Sequence, residues 1–342
     1  MFIRSKAPLR LGFAGGGTDV SPFSEEYGGA ILNAAITLYA HVTIAPTREP
    51  RAVFRSIDQK ALVTCSLEGE EQEALGECVL ALGTFRRFLK EYGPAPSGFI
   101  LTTYVDAPAG SGLGTSSTLT VAVVAALADF FGVGLGEYDI AHLAFQIERV
   151  DLALAGGKQD QYAAAFGGFN FMEFGPGQNV IVNPLRLKME IAAELESSLV
   201  LFFTGTSRSS AKIIEAQSRN VTSGRQEGIE AMLNLKQQAT DMKEAILKGR
   251  LDKFGAILHH GWLLKKATAK EITNDKIDEI FQCALGAGCT GGKISGAGGG
   301  GFMMFYCPGV NRYSVIEALA PFGGEFRRFQ FTRHGVTTWR TA

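Results

Sequence analysis

Pro108-Ala109-Gly110-Ser111-Gly112-Leu113-Gly114-Thr115-Ser116-Ser117 runs directly into TLTVAVVAALADFFG, which ends at Gly132. The first part reads as a loop. Its glycines let the backbone turn tightly and approach a ligand with no Cβ in the way. The second part reads as a helix with almost no charge, and a helix apolar on nearly all sides is buried. The first amides of such a helix, and its dipole, favour an anion. Successive amides with the hydroxyls of Thr115, Ser116 and Ser117 suit a polyphosphate. Two other glycine loops are excluded. A Walker A loop needs a lysine before its hydroxyl residue, and none is present. A dinucleotide fingerprint needs a different glycine spacing inside a clean βαβ unit. Alone, the stretch is also compatible with an ordinary strand-to-helix turn capped by Thr115 or Ser116.

Outward from this loop the chain alternates strands and helices. IRSKAPLRLGFA and ILNAAITLYAHVTIAPT are extended and apolar, AVFRSID and ALVTCSLEG form a hairpin around Asp58, and SGFILTTYVD is a strand. Apolar residues at three- and four-residue spacing predict a helix over 74–91 and another over 138–150. GGKQDQYAAAFGG is a turn leading into a short helix, and FNFMEF is a strand. From 207 to about 288 the chain is mostly helical. GCTGGKISGAGGGGFMMFYC then reads strand, glycine turn, strand, before a helix at VNRYSVIEALAPFG and a closing strand at EFRRFQFTR. The expectation is an α+β protein.

Bulk properties exclude several classes. With 342 residues, 46% apolar and 20% charged, the chain has a sizeable core, and a net charge of −1 does not favour nucleic acid or an anionic membrane as partner. No apolar run reaches the ~18 residues of a membrane span. The N-terminal stretch lacks the apolar region of a secretory signal. The five cysteines show no CxxC spacing, so neither a disulfide framework nor a structural zinc site is expected. A cytoplasmic location follows, and a homodimer stays open. The 42 glycines, about twice ordinary usage, gather in short runs. Gly298-Gly299-Gly300-Gly301 is one, and four glycines in a row need a reason, such as close approach to a ligand or to the first glycine loop.

PAGSGLGTSS resembles the second signature of the GHMP kinases, with Thr115 and Ser117 in place of the usual Ser and Ala. Three further segments resemble family motifs in the family's order: Ala7 to Asp19, Gly156 to Gln161, and Lys293 to Gly301. The resemblance implies a two-domain fold, with a ribosomal protein S5 domain 2-like N-terminal domain over 1–190 and a ferredoxin-like C-terminal domain over 191–342. It implies ATP and Mg2+ as cofactors and a small-molecule acceptor. Pro108, Gly110, Ser111, Gly112, Leu113, Gly114, Thr115, Ser116, Ser117, Gly298 and Gly299 are then expected at the nucleotide. Ser116 and Glu148 are expected on the metal, Asp160 as catalytic base or orienting group, and Arg10 beside the transferring phosphate. Magnesium favours hard oxygen ligands of this kind. Read without the other motifs, Arg10 could be a surface salt bridge, Asp19 a turn residue, and Glu148 a surface partner of Arg149 or Lys158.

The form AGGGTD at Ala14 to Asp19, with FTGTSRSS at Phe203 to Ser210, is similar to kinases of D-glycero-D-manno-heptose 7-phosphate. Those act on the anomeric hydroxyl in bacterial surface-polysaccharide synthesis. The similarity implies Gly17, Thr18 and Asp19 at the sugar and Arg208 at its phosphate, with Lys6 and Lys293 as further cations. A solvated Arg208 following a Ser207 cap is the alternative. An L-fucose, galactose or N-acetylhexosamine kinase is the competing enzyme, and a non-catalytic sugar sensor is a different class.

Overall fold

The computed structural model describes residues 1–342 apart from 76–77, 178, 207–209 and 223–225. Strand β1 (Phe2–Ala14) and strand β2 (Gly29–Thr47) pair antiparallel along most of their length, joined through the short helix α1 (Phe23–Glu26). Strand β2 is long enough to serve two partners on its other edge. Strands β3 (Arg51–Ser56), β4 (Ala61–Ser66) and β5 (Glu71–Leu75) lead to helix α2 (Val79–Tyr92) and strand β6 (Gly98–Val105). The loop of interest then enters helix α3 (Thr115–Phe131). Helices α4 (Glu137–Gln146) and α5 (Gln159–Phe166), strands β7 (Phe169–Phe174) and β8 (Val180–Pro184), and helix α6 (Met189–Ser198) follow. Residues 40–47 of β2 pair with β6, and residues 29–34 pair with β7.

Strand β9 (Leu199–Phe203) begins a second sheet. After it come helices α7 (Ser210–Thr222), α8 (Gln226–Leu247), α9 (Phe254–Thr268) and α10 (Asp275–Gly286), then the hairpin of β10 (Gly291–Ile294) and β11 (Phe302–Tyr306). Helix α11 (Asn311–Leu319), strand β12 (Glu325–Arg327) and strand β13 (Thr337–Thr341) complete the described elements. The nine-stranded sheet has the path β13-β1-β2-β6-β3-β4-β5, with β7 and β8 off β2, and the second sheet is β10-β11-β9-β12. The α+β expectation is met.

Helix α3 packs along β1 and β2 with nearly every residue buried, as its uncharged sequence predicts. Its own Phe130, with Phe54, Phe85, Phe88 and Phe99, forms the aromatic centre of the first core. A second core of Phe202, Trp262, Ile280, Phe281 and Phe305 lies between the smaller sheet and its helices. Ala239, Met242 and Ile246 of α8 belong to the first core, so apolar packing is continuous across the two sheets.

Three expected elements differ. The helix expected over 74–91 starts at Val79, because residues 71–75 pair with β4 as a strand. The helix expected over 138–150 is α-helical to Gln146 and continues as a wider π turn over Ile147–Asp151. The closing strand holds only Glu325–Arg327. Past it, Phe329 and Phe331 stack among aromatic rings, Phe331 against Phe13 and Phe169, and the backbone crosses back so that β13 pairs with β1.

The glycine run earns its cost by close approach of two loops. The Phe302 amide donates to the Ser111 carbonyl at 2.9 Å. Gly112 adopts a φ of +84°, with the site of a Cβ only 2.2 Å from the Ser295 carbonyl oxygen. An alanine at this position would therefore be strained twice, by its backbone and by the facing loop. Gly112→Ala is expected to destabilise the protein by more than about 1 kcal/mol. Thermal unfolding checks this, and an unchanged melting temperature would contradict the close packing of the two loops.

Candidate active site

Strand β1 carries Arg10 into the gap between the two glycine loops. Its Nε donates to Asp160 Oδ1 at 2.8 Å, and its NH1 donates to the Gly112 carbonyl at 2.6 Å and weakly to Ser295 Oγ at 3.4 Å. Ser295 Oγ also donates to the Gly112 carbonyl, at 2.8 Å. One buried guanidinium thus joins β1, the first turn of α5 and both loops. The surface salt bridge open to Arg10 in the sequence is not what forms, since the residue is 3% exposed.

Asp19 fixes the start of α5 from the other side. Its Oδ2 accepts from the backbone amides of Lys158 at 2.8 Å and Gln159 at 3.0 Å. These are amides that a helix start leaves without intrahelical partners. Burial pushes the Asp19 carboxyl up from its usual range, the Gln159 amide opposes this, and the neighbouring Asp160 charge adds to it. Asp160 sits in the helix turn that Asp19 caps, so the two carboxylates are held together in the cleft.

The π turn brings Glu148 inward. The carboxylate is almost wholly buried and accepts from Ser117 Oγ at 3.2 Å and from Gln161 Nε2. Burial pushes its pKa up, while Arg149, 3.9 Å away, opposes the shift. A π turn inside a helix often marks a functional position. Ser116 is exposed and lines the same cleft, whereas the hydroxyl that bonds Glu148 belongs to Ser117. One buried carboxylate beside hydroxyls fits magnesium, which takes one or two protein oxygens and leaves the rest to phosphate and water. Among the described residues no group of three or more His, Cys, Asp or Glu could hold a metal unaided.

These groups line one cleft of about 300 Å³, together with Gly16, Gly17, Gly110, Gly112, Gly114 and Thr115. Other expected residues fall elsewhere. Thr18 is buried, and its hydroxyl is occupied by the Gly15 and Ala30 carbonyls. Gly298 packs on Ile272, and the Gly299 amide donates to the Ile272 carbonyl. Ser111 and Leu113 are buried within the loop, Pro108 is exposed, and Lys6 lies over the Tyr39 ring. Arg208 lies outside the described residues. Lys293 does reach the cleft, as does Gln159 of the Gly156 to Gln161 segment, and so do Lys265, Arg149 and Gln217, which no sequence motif singled out. Burial lowers the Lys265 pKa to about 8, with Arg10 adding to the shift and Asp19 and Asp160 opposing it.

The chain is 44% identical over 341 residues to the D-glycero-alpha-D-manno-heptose 7-phosphate kinase of Campylobacter jejuni, covering 99% of each. Residues 79–168 match the GHMP kinases N-terminal domain and residues 242–323 the GHMP kinases C-terminal domain. The chain belongs to the GHMP kinase family. A solved D-glycero-D-manno-heptose 1-phosphate kinase from Bacteroides thetaiotaomicron shares the GHMP kinase fold at a TM-score of 0.84 and 44% identity, over 99% of both chains. The L-fucokinase/L-fucose-1-P guanylyltransferase of Bacteroides fragilis is 30% identical over 328 residues, which are 87% of this GHMP kinase and 34% of that longer protein. No helix among the described residues is long and apolar enough to cross a membrane.

Asp19→Ala leaves two buried amides at the start of α5 without their acceptor. A lost cap costs about 1–2 kcal/mol, so a lower melting temperature and reduced turnover are expected together. Thermal unfolding and steady-state kinetics check this. Unchanged stability would mean that α5 is held in place by other contacts.

Proposed function

We propose that this protein transfers the terminal phosphoryl group of ATP to the anomeric hydroxyl of D-glycero-D-manno-heptose 7-phosphate. The product would be the 1,7-bisphosphate, a precursor for bacterial surface polysaccharide, made in the cytoplasm. The observation that carries the kinase chemistry is the Arg10–Asp160 pair facing the glycine loop across one cleft. The heptose phosphate acceptor is supported by 44% identity over nearly the full length of both chains to the Campylobacter enzyme.

In this reading, the loop amides from Gly110 to Thr115 and the start of α3 hold the nucleotide phosphates. Glu148 and Ser116 would hold a magnesium ion, which supplies neutralisation of phosphate charge when bound. Asp160, kept in register by the Arg10 guanidinium, orients the acceptor hydroxyl and accepts its proton. The acceptor oxygen forms a bond to the terminal phosphorus as the bond to the bridging oxygen of ADP breaks. Arg10 sets positive charge beside the group in transit. Rate acceleration then comes mainly from positioning and charge, as in phosphoryl transfer generally.

The two most similar relatives above are named for different sugar phosphates, one a 7-phosphate and one a 1-phosphate. The fucokinase similarity favours a second reading, an unphosphorylated sugar as acceptor. A coupled ADP-release assay across heptose 7-phosphate, heptose 1-phosphate, free heptose, L-fucose, galactose and N-acetylgalactosamine separates them. Turnover with heptose 7-phosphate alone is expected, and turnover restricted to free sugars would overturn the acceptor assignment.

Asp160→Asn is expected to lower kcat by about 10²–10⁴-fold while nucleotide affinity is kept, as measured by steady-state kinetics and ATP titration. Full turnover in this variant would remove Asp160 from the mechanism. Ser116→Ala is expected to raise the magnesium concentration needed for half-maximal rate. An unchanged magnesium dependence would remove Ser116 from the metal site.

A further inference from the structure

Two lysines enter the cleft from the second sheet and its helices: Lys265 from α9 and Lys293 from β10. Both are more than nine-tenths buried, at 4% and 6% exposure. Buried ammonium groups are costly unless paired. Yet among the described residues neither lies within 4.0 Å of a carboxylate oxygen. Lys265 Nζ donates to the Gly296 carbonyl at 2.6 Å, and Lys293 Nζ donates to the Gly12 carbonyl at 2.9 Å. An ammonium has three donors, so each lysine keeps capacity beyond its one carbonyl.

The two amines converge on a single place. A side chain at Gly16 would put its Cβ 3.6 Å from Lys265 Nζ and 3.9 Å from Lys293 Nζ. Nothing larger than glycine stands there, so the space between the amines is open to the cleft. Its position along β1 is informative. Arg10 contacts the nucleotide loop and Asp160, and Gly12 lies two residues further along the strand, about 7 Å on. Lys293 lies on that further side, bonded to Gly12, and Lys265 reaches the same place beside Gly16 from Gly296, whose backbone packs on Gly112.

We propose that Lys265 and Lys293 form an anion subsite that holds the phosphate already carried by the acceptor sugar. The proposal rests on the reading that the acceptor is a sugar phosphate. Asp160 meets the reacting hydroxyl at one end of the sugar, and the lysine pair meets the existing phosphate at the other. Burial, with repulsion from Lys265 and Arg10, lowers the Lys293 pKa, and a dianion between the amines offsets that repulsion. Gly16 serves as the gap through which that dianion reaches both amines.

The test compares full-length wild type with Lys265→Met and Lys293→Met, using heptose 7-phosphate and free heptose as acceptors. A hydrogen bond between charged groups is worth about tenfold in affinity or more. Each variant is therefore expected to lower the ratio of kcat/KM for phosphorylated over free heptose by about tenfold, chiefly through KM for the sugar phosphate. An unchanged ratio, or a change seen mainly in KM for ATP, would overturn the subsite. Inorganic phosphate gives a measurement on wild type that needs no variant. Competition against heptose 7-phosphate supports the subsite, and competition against ATP alone refutes it. Wild type that turns over free sugars only would fail at an earlier step, because it removes the acceptor reading itself and the subsite with it.

Discussion

Backbone packed directly on backbone is the constraint on which the rest depends. The loop before α3 and the loop between β10 and β11 meet at Gly112, Ser295 and Gly296 without an intervening side chain. One residue reaches both: Arg10 donates to the Gly112 carbonyl and weakly to the Ser295 hydroxyl while holding Asp160. A side chain at Gly112 or Gly296 would collide with the facing backbone, so the loops pack this closely only with glycine at both places. Polar groups at such a junction are costly to leave unpaired, which is why the junction behaves as a unit.

The helices that matter are positioned from both ends. Asp19 caps α5 from the turn after β1, and the π turn at Ile147–Asp151 rotates Glu148 under the start of α3. Ser117, Gln161 and Glu148 then form a buried polar cluster beneath the exposed Ser116. Cations stand beside the acids of the cleft, Arg10 against Asp160 and Arg149 near Glu148, while Lys265 and Lys293 add positive charge from α9 and β10.

Much of this was legible in the sequence. Unusual glycines are visible because they violate ordinary propensity, so both loops and the buried α3 stood out. The Arg10, Asp19, Glu148 and Asp160 positions came from motif resemblance, and the structure lines the cleft with all of them. Lys265 was not legible, because a lysine on an amphipathic helix next to Lys266 reads as solvated. Only the turn of α9 against β10 shows that one of the two is buried. Gly298 and Gly299 were misleading for a related reason. A glycine run signals close approach but does not say to what, and these two approach Ile272. The helix start near residue 74 was misplaced because alternating and helical apolar patterns overlap over five residues, and pairing with β4 decides between them.

The pairing of β13 with β1 has a consequence for motion. Residues 337–341 lie beside residues 2–6 in the nine-stranded sheet. The β9–β12 sheet and its helices are thus threaded between two anchor points in that sheet, one before β9 and one after β12. A body attached at a single point can swing as a flap. A body held by two crossings, with α8 sharing the first apolar core, is limited to small rocking about the line joining them.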